Sequence, residues 1–351
     1  MRIIALALFL LLPAIRTDAA SSSVGTASVP FLLMPAGARA VAMGGSGTAS
    51  AEDATAMLWN PALLSKAESS SVSLMHSAYL ESSMYDFAAL NWKLSPSHAL
   101  GVSVQYFTAG NIDSTDDSGR DLGTIRPYDV AASLGYSFKI SGWSFGLAAK
   151  GVQSKIISTG KAFAADAGVS PPELLDGKLR IGASVSNLGG KIRYDATDEK
   201  ISSALRAGAR LKFSPMFMLA ADIIRPNAGK TYAAGGIETE LGITKDIQAA
   251  LRAGYSTQPD SDGFSGAAAG VGFKTREYAL DYAFAPFGAL GNTHRFSLSF
   301  YWGRDEGSKP SSSYQKQPKR PVSYPGYKAP KTQNSPSNKR RYYPYARPSG
   351  N

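Results

Sequence analysis

The feature that most constrains this chain is a period-two alternation of apolar with small or polar residues, repeated in about fourteen segments of roughly ten residues between Ser69 and Trp302. Successive side chains of a strand point to opposite faces, so each segment carries two chemically distinct surfaces. From His98 onward, Leu100, Val102, Val104 and Tyr106 share one face, and Gly101, Ser103 and Gln105 the other. Val130, Ala132, Leu134, Tyr136 and Phe138 likewise oppose Ala131, Ser133, Gly135, Ser137 and Lys139. The same separation sets Leu179, Ile181, Ala183 and Val185 against Lys178, Arg180, Gly182 and Ser184, and Leu205, Ala207, Ala209 and Leu211 against Arg206, Gly208 and Arg210. Helices compete poorly, because the spacing is two rather than 3.6 and the 35 glycines lower helix propensity. A water-soluble sandwich would expose a broad apolar band, whereas strands of this length suit a tilted crossing of a bilayer. The expected fold class is therefore all-β: a transmembrane antiparallel β-barrel of about fourteen strands.

The connections test this independently, since bacterial barrels alternate short periplasmic turns with longer outer loops. Counting from a periplasmic N-terminus, Ser95-Pro96-Ser97, Ser141-Gly142, Ser214-Pro215 and Arg276-Glu277 fall on the periplasmic side. The long polar stretches Asn111 to Pro127 and Gly189 to Lys200 fall outside, as do the short connections Leu80 to Ser83, Ile157 to Gly160 and Asn227 to Gly229.

Four regions follow. Residues 1–20 have the form of a secretory signal peptide: Arg2, an apolar run from Ile3 to Ile15, and small residues near Ala19 and Ala20. Residues 21–66 are rich in small residues, with a short helical piece expected from Glu52 to Trp59, and read as a hatch tucked into the lumen. Residues 67–302 are the barrel. Residues 303–351 are rich in Pro, Ser, Lys, Arg and Tyr, lack apolar periodicity, and read as a disordered periplasmic tail. From Arg304 onward eleven Lys or Arg stand against Asp305 and Glu306, 11 − 2 = +9, so nearly all of the net charge of +10 belongs to this tail.

Two stretches carry a family resemblance. Phe31-Leu32-Leu33-Met34-Pro35-Ala36-Gly37-Ala38-Arg39-Ala40, Met43-Gly44-Gly45, Glu52-Asp53-Ala54 and Trp59-Asn60-Pro61-Ala62 resemble the opening of the PorV/PorQ family within the FadL-like outer-membrane barrels. Leu280-Asp281-Tyr282-Ala283-Phe284, Leu290-Gly291 and Thr293-His294-Arg295-Phe296-Ser297-Leu298 resemble that family's last two strands. The resemblance implies a fourteen-stranded barrel with an N-terminal hatch marked by Asn60, Pro61 and Ala62. It also implies one of two roles: help in type IX-like secretion by binding exported cargo, or passage of hydrophobic small molecules. Several outer loops are shorter than cargo capture would favour, and the basic tail is not part of the family pattern.

Little chemistry competes with these roles. His76, His98 and His294 lie far apart and show no metal spacing, no serine is marked as a nucleophile, and the chain has no cysteine, so neither an enzyme nor a cofactor is expected. Gly44-Gly45-Ser46-Gly47 and the glycines from Gly266 to Gly272 lack the context of a phosphate loop. Asp113, Asp116, Asp117 and Asp121 lack EF-hand spacing. Arg180, Arg206, Arg210, Arg252 and Arg295 are expected to face the lumen, as are Asp222, Glu238 and Asp281, either as a charged constriction or as paired charges that fill it. Phe31, Leu32, Leu33 and Met34 are candidate contacts for an apolar ligand. Outer-membrane lipid surrounds such a barrel. The tail's charge and tyrosines point to peptidoglycan as its partner, and a structural tether to the wall is a third role; nucleic acid is not expected in that compartment.

Overall fold

The computed structural model describes residues 27–78, 83–194, 197–258, 266–286 and 291–303. The signal peptide expected at 1–20 and the basic tail from 304 lie outside the described residues. Fourteen strands close into one antiparallel barrel. In chain order they are β1 (Ser70–Ala78), β2 (Met84–Ser95), β3 (His98–Thr108), β6 (Tyr128–Ile140), β7 (Trp143–Lys155), β8 (Thr159–Ser170) and β9 (Leu179–Leu188), then β12 (Ala204–Lys212), β13 (Phe217–Pro226), β14 (Tyr232–Gly242), β15 (Gln248–Ser256), β16 (Ala267–Lys274), β17 (Tyr278–Pro286) and β18 (Asn292–Trp302). The last strand returns to the first, in register from Ser70 against Trp302 to Ala78 against His294. Closure matters physically, because a bilayer offers no water to satisfy an open sheet edge.

The rim bearing Ser70 and Trp302 is called the terminal rim, and its connections are short turns except for residues 171–178 between β8 and β9. At the opposite rim the two long polar stretches are ordered rather than irregular. One forms the hairpin β4 (Ile112–Thr115) with β5 (Asp121–Ile125), the other β10 (Lys191–Tyr194) with β11 (Thr197–Lys200). This end is the hairpin rim.

The outward face is the apolar one. Leu134, Leu147, Leu205, Leu251 and Leu280 are each more than half exposed around the wall. Aromatic side chains flank this band. Near the terminal rim Trp143 stacks on Phe145, Phe213 on Phe217 and Phe300 on Trp302, and Tyr278 packs tilted against Phe300. Near the hairpin rim Tyr106 stacks on Tyr128, and Tyr282 packs against Phe296. Amphipathic rings at both edges of an aliphatic band mark the two membrane interfaces.

The inward face is small enough to admit the chain's own N-terminal segment. A belt of glycines runs around it in cross-strand pairs: Gly101 beside Gly135, Gly146 beside Gly168, Gly182 beside Gly208, and Gly236 beside Gly254. A Cβ at Gly146 would overlap the backbone of Pro61, and one at Gly254 the backbone of Met43 and Gly44. Residues 30–66 lie against this belt as two short α-helices, α1 (Ala38–Ala42) and α2 (Ala56–Trp59), and two 3-10 turns, Pro30–Leu33 and Pro61–Lys66. The helix expected from Glu52 is shorter, starting at Ala56. The Asp53 carboxylate accepts from the Thr55 backbone N–H at 2.9 Å and from its hydroxyl, closing a local turn ahead of the helix.

Replacing Gly254 by Val should therefore expel the segment locally, at about 1–3 kcal/mol of overpacking. Limited proteolysis should then cut between residues 38 and 59 while heat-modifiable gel mobility still reports a folded barrel. Gly151→Ala is the control, since a Cβ there meets only a Phe163 ring carbon at 3.9 Å.

Candidate functional site

The lumen gathers the chemistry, and Asn60, Pro61 and Ala62 hold its filling in place. Asn60 is fully buried. Its Oδ1 accepts from the Ala62 backbone N–H at 3.1 Å, capping the 3-10 turn that Pro61 begins, while its Nδ2 donates to the carbonyls of Thr48 at 3.0 Å and Val169 at 3.3 Å. One amide thus joins two parts of the lumenal segment to β8. Ser184 donates to the Trp59 carbonyl at 2.8 Å, and Trp59 Nε1 donates to the Ala36 carbonyl at 3.0 Å. Asp222 of β13 accepts from the backbone N–H groups of Gly47 and Thr48 at 3.0 and 2.9 Å. The Gly44 to Gly47 stretch is thus a backbone bend that wraps against the wall.

Toward the terminal rim, charges of alternating sign run across the lumen. Asp281 pairs with Arg252 at 2.7 Å, Arg252 with Glu238 at 2.6 Å, and Glu238 with Arg39 at 2.7 Å. Arg39 lies 3.8 Å from Glu52, which binds Arg210 and Lys212 at 2.8 Å each. Arg210 lies 3.8 Å from Glu173, which pairs with Arg180 at 2.7 Å. The middle members, Arg39 and Glu52, belong to the lumenal segment and the others to the wall or its turns. Arg39 grips both oxygens of Glu238, at 2.7 Å each, and donates to the Ser50 carbonyl at 2.9 Å. Removing one partner of such a buried pair strands the other, typically at a cost of about 3–5 kcal/mol.

Five of the lumen residues singled out from sequence, Arg180, Arg210, Glu238, Arg252 and Asp281, meet in this chain of charges. Arg206 and Arg295 do not. Arg206 lies over the Trp59 ring at 5.7 Å and donates to Ser186 Oγ at 2.9 Å, and Arg295 donates to the Pro35 carbonyl at 2.6 Å. Both line a cavity of about 530 Å³ between the lumenal segment and the wall toward the hairpin rim. Leu33, Met34, Trp59, Ile224, Tyr232 and Ala268 also line it. The four apolar candidates divide in the same way. Leu33 and Met34 border the cavity, whereas Phe31 and Leu32 are sealed in a core with Val152, Ala162, Ile192 and Ile201 and do not reach it.

Sequence reasoning did not single out Arg39, Glu52 and Glu173 as part of this network. Their local settings explain the omission: Arg39 and Glu52 are lone charges in a segment with no period to place them opposite wall residues more than 150 positions away, and Glu173 lies in the connection between β8 and β9, outside any strand alternation. The three histidines all point outward, where His76 pairs with Asp86 and His98 with Tyr136. Among the described residues no group of His, Asp or Glu could hold a metal.

Residues 17–218, more than half of the chain, match a family model described as type IX secretion system protein PorV. The chain belongs to this family. Among curated proteins no sequence relative matches. Of solved structures, it is similar to the Pseudomonas putida toluene transporter TodX, with a TM-score of 0.53 and 12% identity over 76% of this chain and 99% of that one. It is also similar to the CymD monoaromatic hydrocarbon channel, with a TM-score of 0.52 and 12% identity over 76% of this chain and 96% of that one. Likeness at that identity reports the fold, and this PorV-family chain is an outer-membrane β-barrel.

The lumenal carboxylate Glu52 gives the site a pH signature. Burial pushes its pKa up, but Lys212, Arg39 and Arg210 outweigh this and hold it well below the ordinary value of 4.5. A carboxylate depressed on folding contributes stability above its unfolded pKa and loses it as pH falls through the lower folded value. Protease protection of the lumenal segment should therefore persist through the ordinary carboxylate range and fail only in stronger acid. Glu52→Gln should weaken protection at neutral pH and flatten that acid dependence.

Proposed function

We propose that this protein works as a secretion accessory: a closed barrel that holds an exported protein at its outer rim during type IX-like secretion or surface assembly. The observation that carries the reading is the combination of a filled lumen with an ordered rim. With the terminal rim placed in the periplasm, the chain of ion pairs through Arg39 and Glu52 blocks a through-path there. The hairpins β4–β5 and β10–β11 stand on the outer side. Short outer loops argue against cargo capture by long flexible arms, but two rigid hairpins supply a preorganised surface, which lowers the entropy lost on binding. The tip of the β7–β8 turn adds Ile157, 83% exposed.

A second reading rests on the cavity. A space of about 530 Å³ falls within the usual range for small-molecule sites, and its lining combines apolar side chains with two guanidinium groups. It would suit an apolar molecule, one end of which can accept hydrogen bonds from Arg206 or Arg295. In this reading the segment from Pro30 to Pro35 is the part that must move for the ligand to pass.

Affinity purification of the tagged protein from its native outer membrane in mild detergent, with mass spectrometry of proteins and lipids, separates the two. The secretion reading expects exported proteins that share one C-terminal domain. A barrel carrying a stoichiometric apolar molecule and no exported protein would overturn it in favour of the conduit.

A further inference from the structure

The outward wall carries an ion pair on the face that meets lipid. His76 of β1 and Asp86 of β2 stand opposite each other in register, with the imidazole Nδ1 2.6 Å from Asp86 Oδ1. Their side chains are 57% and 43% exposed. In the same cross-strand row Tyr106 of β3 faces Asp86, and Phe296 of β18 faces His76. Both rings belong to the aromatic belt near the hairpin rim, so the pair sits at the level of lipid headgroups. Ionisable side chains on a lipid-facing wall cost free energy unless something polar meets them there.

One row closer to the terminal rim the wall is dented. Ala88 of β2 stands between Leu74 of β1 and Val104 of β3, and Leu298 of β18 lies beyond Leu74. Branched side chains around a single methyl leave a depression of about 400 Å³, bounded toward the hairpin rim by His76 and Asp86. Its walls are almost wholly apolar, and it opens into the aliphatic band, where a bilayer supplies acyl chains. A carboxylate only accepts, so Nδ1–H donates to Asp86, and a neutral imidazole then presents Nε2 as a further acceptor. Among the described residues neither Nε2 nor Asp86 Oδ2 has a hydrogen-bond partner. The pair thus offers two acceptors and one net negative charge.

We propose that this depression binds one phospholipid with a primary-ammonium headgroup, its acyl chain against Ala88 and its ammonium on His76 and Asp86. The negative pair complements a cation, and two acceptors side by side complement one that carries several N–H groups. A quaternary ammonium has no N–H to give, and a glycerol headgroup has no positive charge. The site lies on the wall and not in the lumen, so it holds whether the barrel handles exported cargo or an apolar solute. It also spans the seam where the first strand meets the last. A lipid held there fixes the depth of that seam in the bilayer.

The test is native mass spectrometry of the full-length protein in detergent, with phosphatidylethanolamine, phosphatidylcholine or phosphatidylglycerol of identical acyl chains. One phosphatidylethanolamine per barrel should be retained, with about tenfold preference over either of the others. Asp86→Asn should abolish that preference. Ala88→Phe, which fills the dent, should lower retention of all three lipids while heat-modifiable mobility stays unchanged. In the unaltered protein, a phosphatidylethanolamine with a diazirine in its acyl chain should label Leu74, Val104 or Leu298, with little at Leu205 on β12. Equal retention of the three lipids, a preference that survives Asp86→Asn, or labelling spread evenly around the wall marks ordinary bilayer contact and would overturn the proposal. Recovery of a second copy or another protein on this face in place of lipid would do the same.

Discussion

A barrel of fourteen strands is too wide for its own inward side chains to fill, and nearly everything else in this molecule answers that constraint. The glycine belt makes room for a length of backbone, and residues 30–66 occupy it. A polypeptide packed in a lumen brings its own unsatisfied N–H and C=O groups. These find partners in Asp222, Ser184 and Asn60. The alternating charges from Asp281 to Arg180 then fix the segment laterally, because a displaced Arg39 or Glu52 would leave buried carboxylates and guanidinium groups without their partners.

The outward face was readable from sequence because its signal is local. Leu100, Val102, Val104 and Tyr106 sit two apart, and one strand suffices to show them. Inward glycines were visible as small residues on the second face, but their meaning lies in cross-strand register: Gly182 stands beside Gly208 only once β9 and β12 are paired. The lumenal arginines were recognised from the same alternation, whereas Arg39 and Glu52, which link the charges of the wall, come from a segment with no period to assign a facing residue. Phe31 and Leu32 illustrate the converse. They lie next to Leu33 and Met34 in sequence, but the 3-10 turn sends them into a core with the β10–β11 hairpin, a contact no local pattern encodes. That hairpin was itself read only as a long polar stretch. Its inward Ile192 and exposed Lys191 and Arg193 alternate over too few residues to stand out from a loop.

The two rims therefore have different characters. One is locked by charge across the lumen, and the other offers a cavity and two ordered hairpins. This asymmetry is what a protein needs if it is to engage something at one surface of a membrane without leaking through to the other.

The central claim is that the lumen is closed by its own N-terminal segment through the Arg39 and Glu52 contacts. Conductance of the purified full-length protein in planar bilayers tests it most directly. The account predicts no steady pore for the unaltered chain and a lasting, salt-dependent conductance for Arg39→Ala combined with Glu52→Ala. A stable open pore in the unaltered chain, or a fully folded double variant that stays closed, would contradict it.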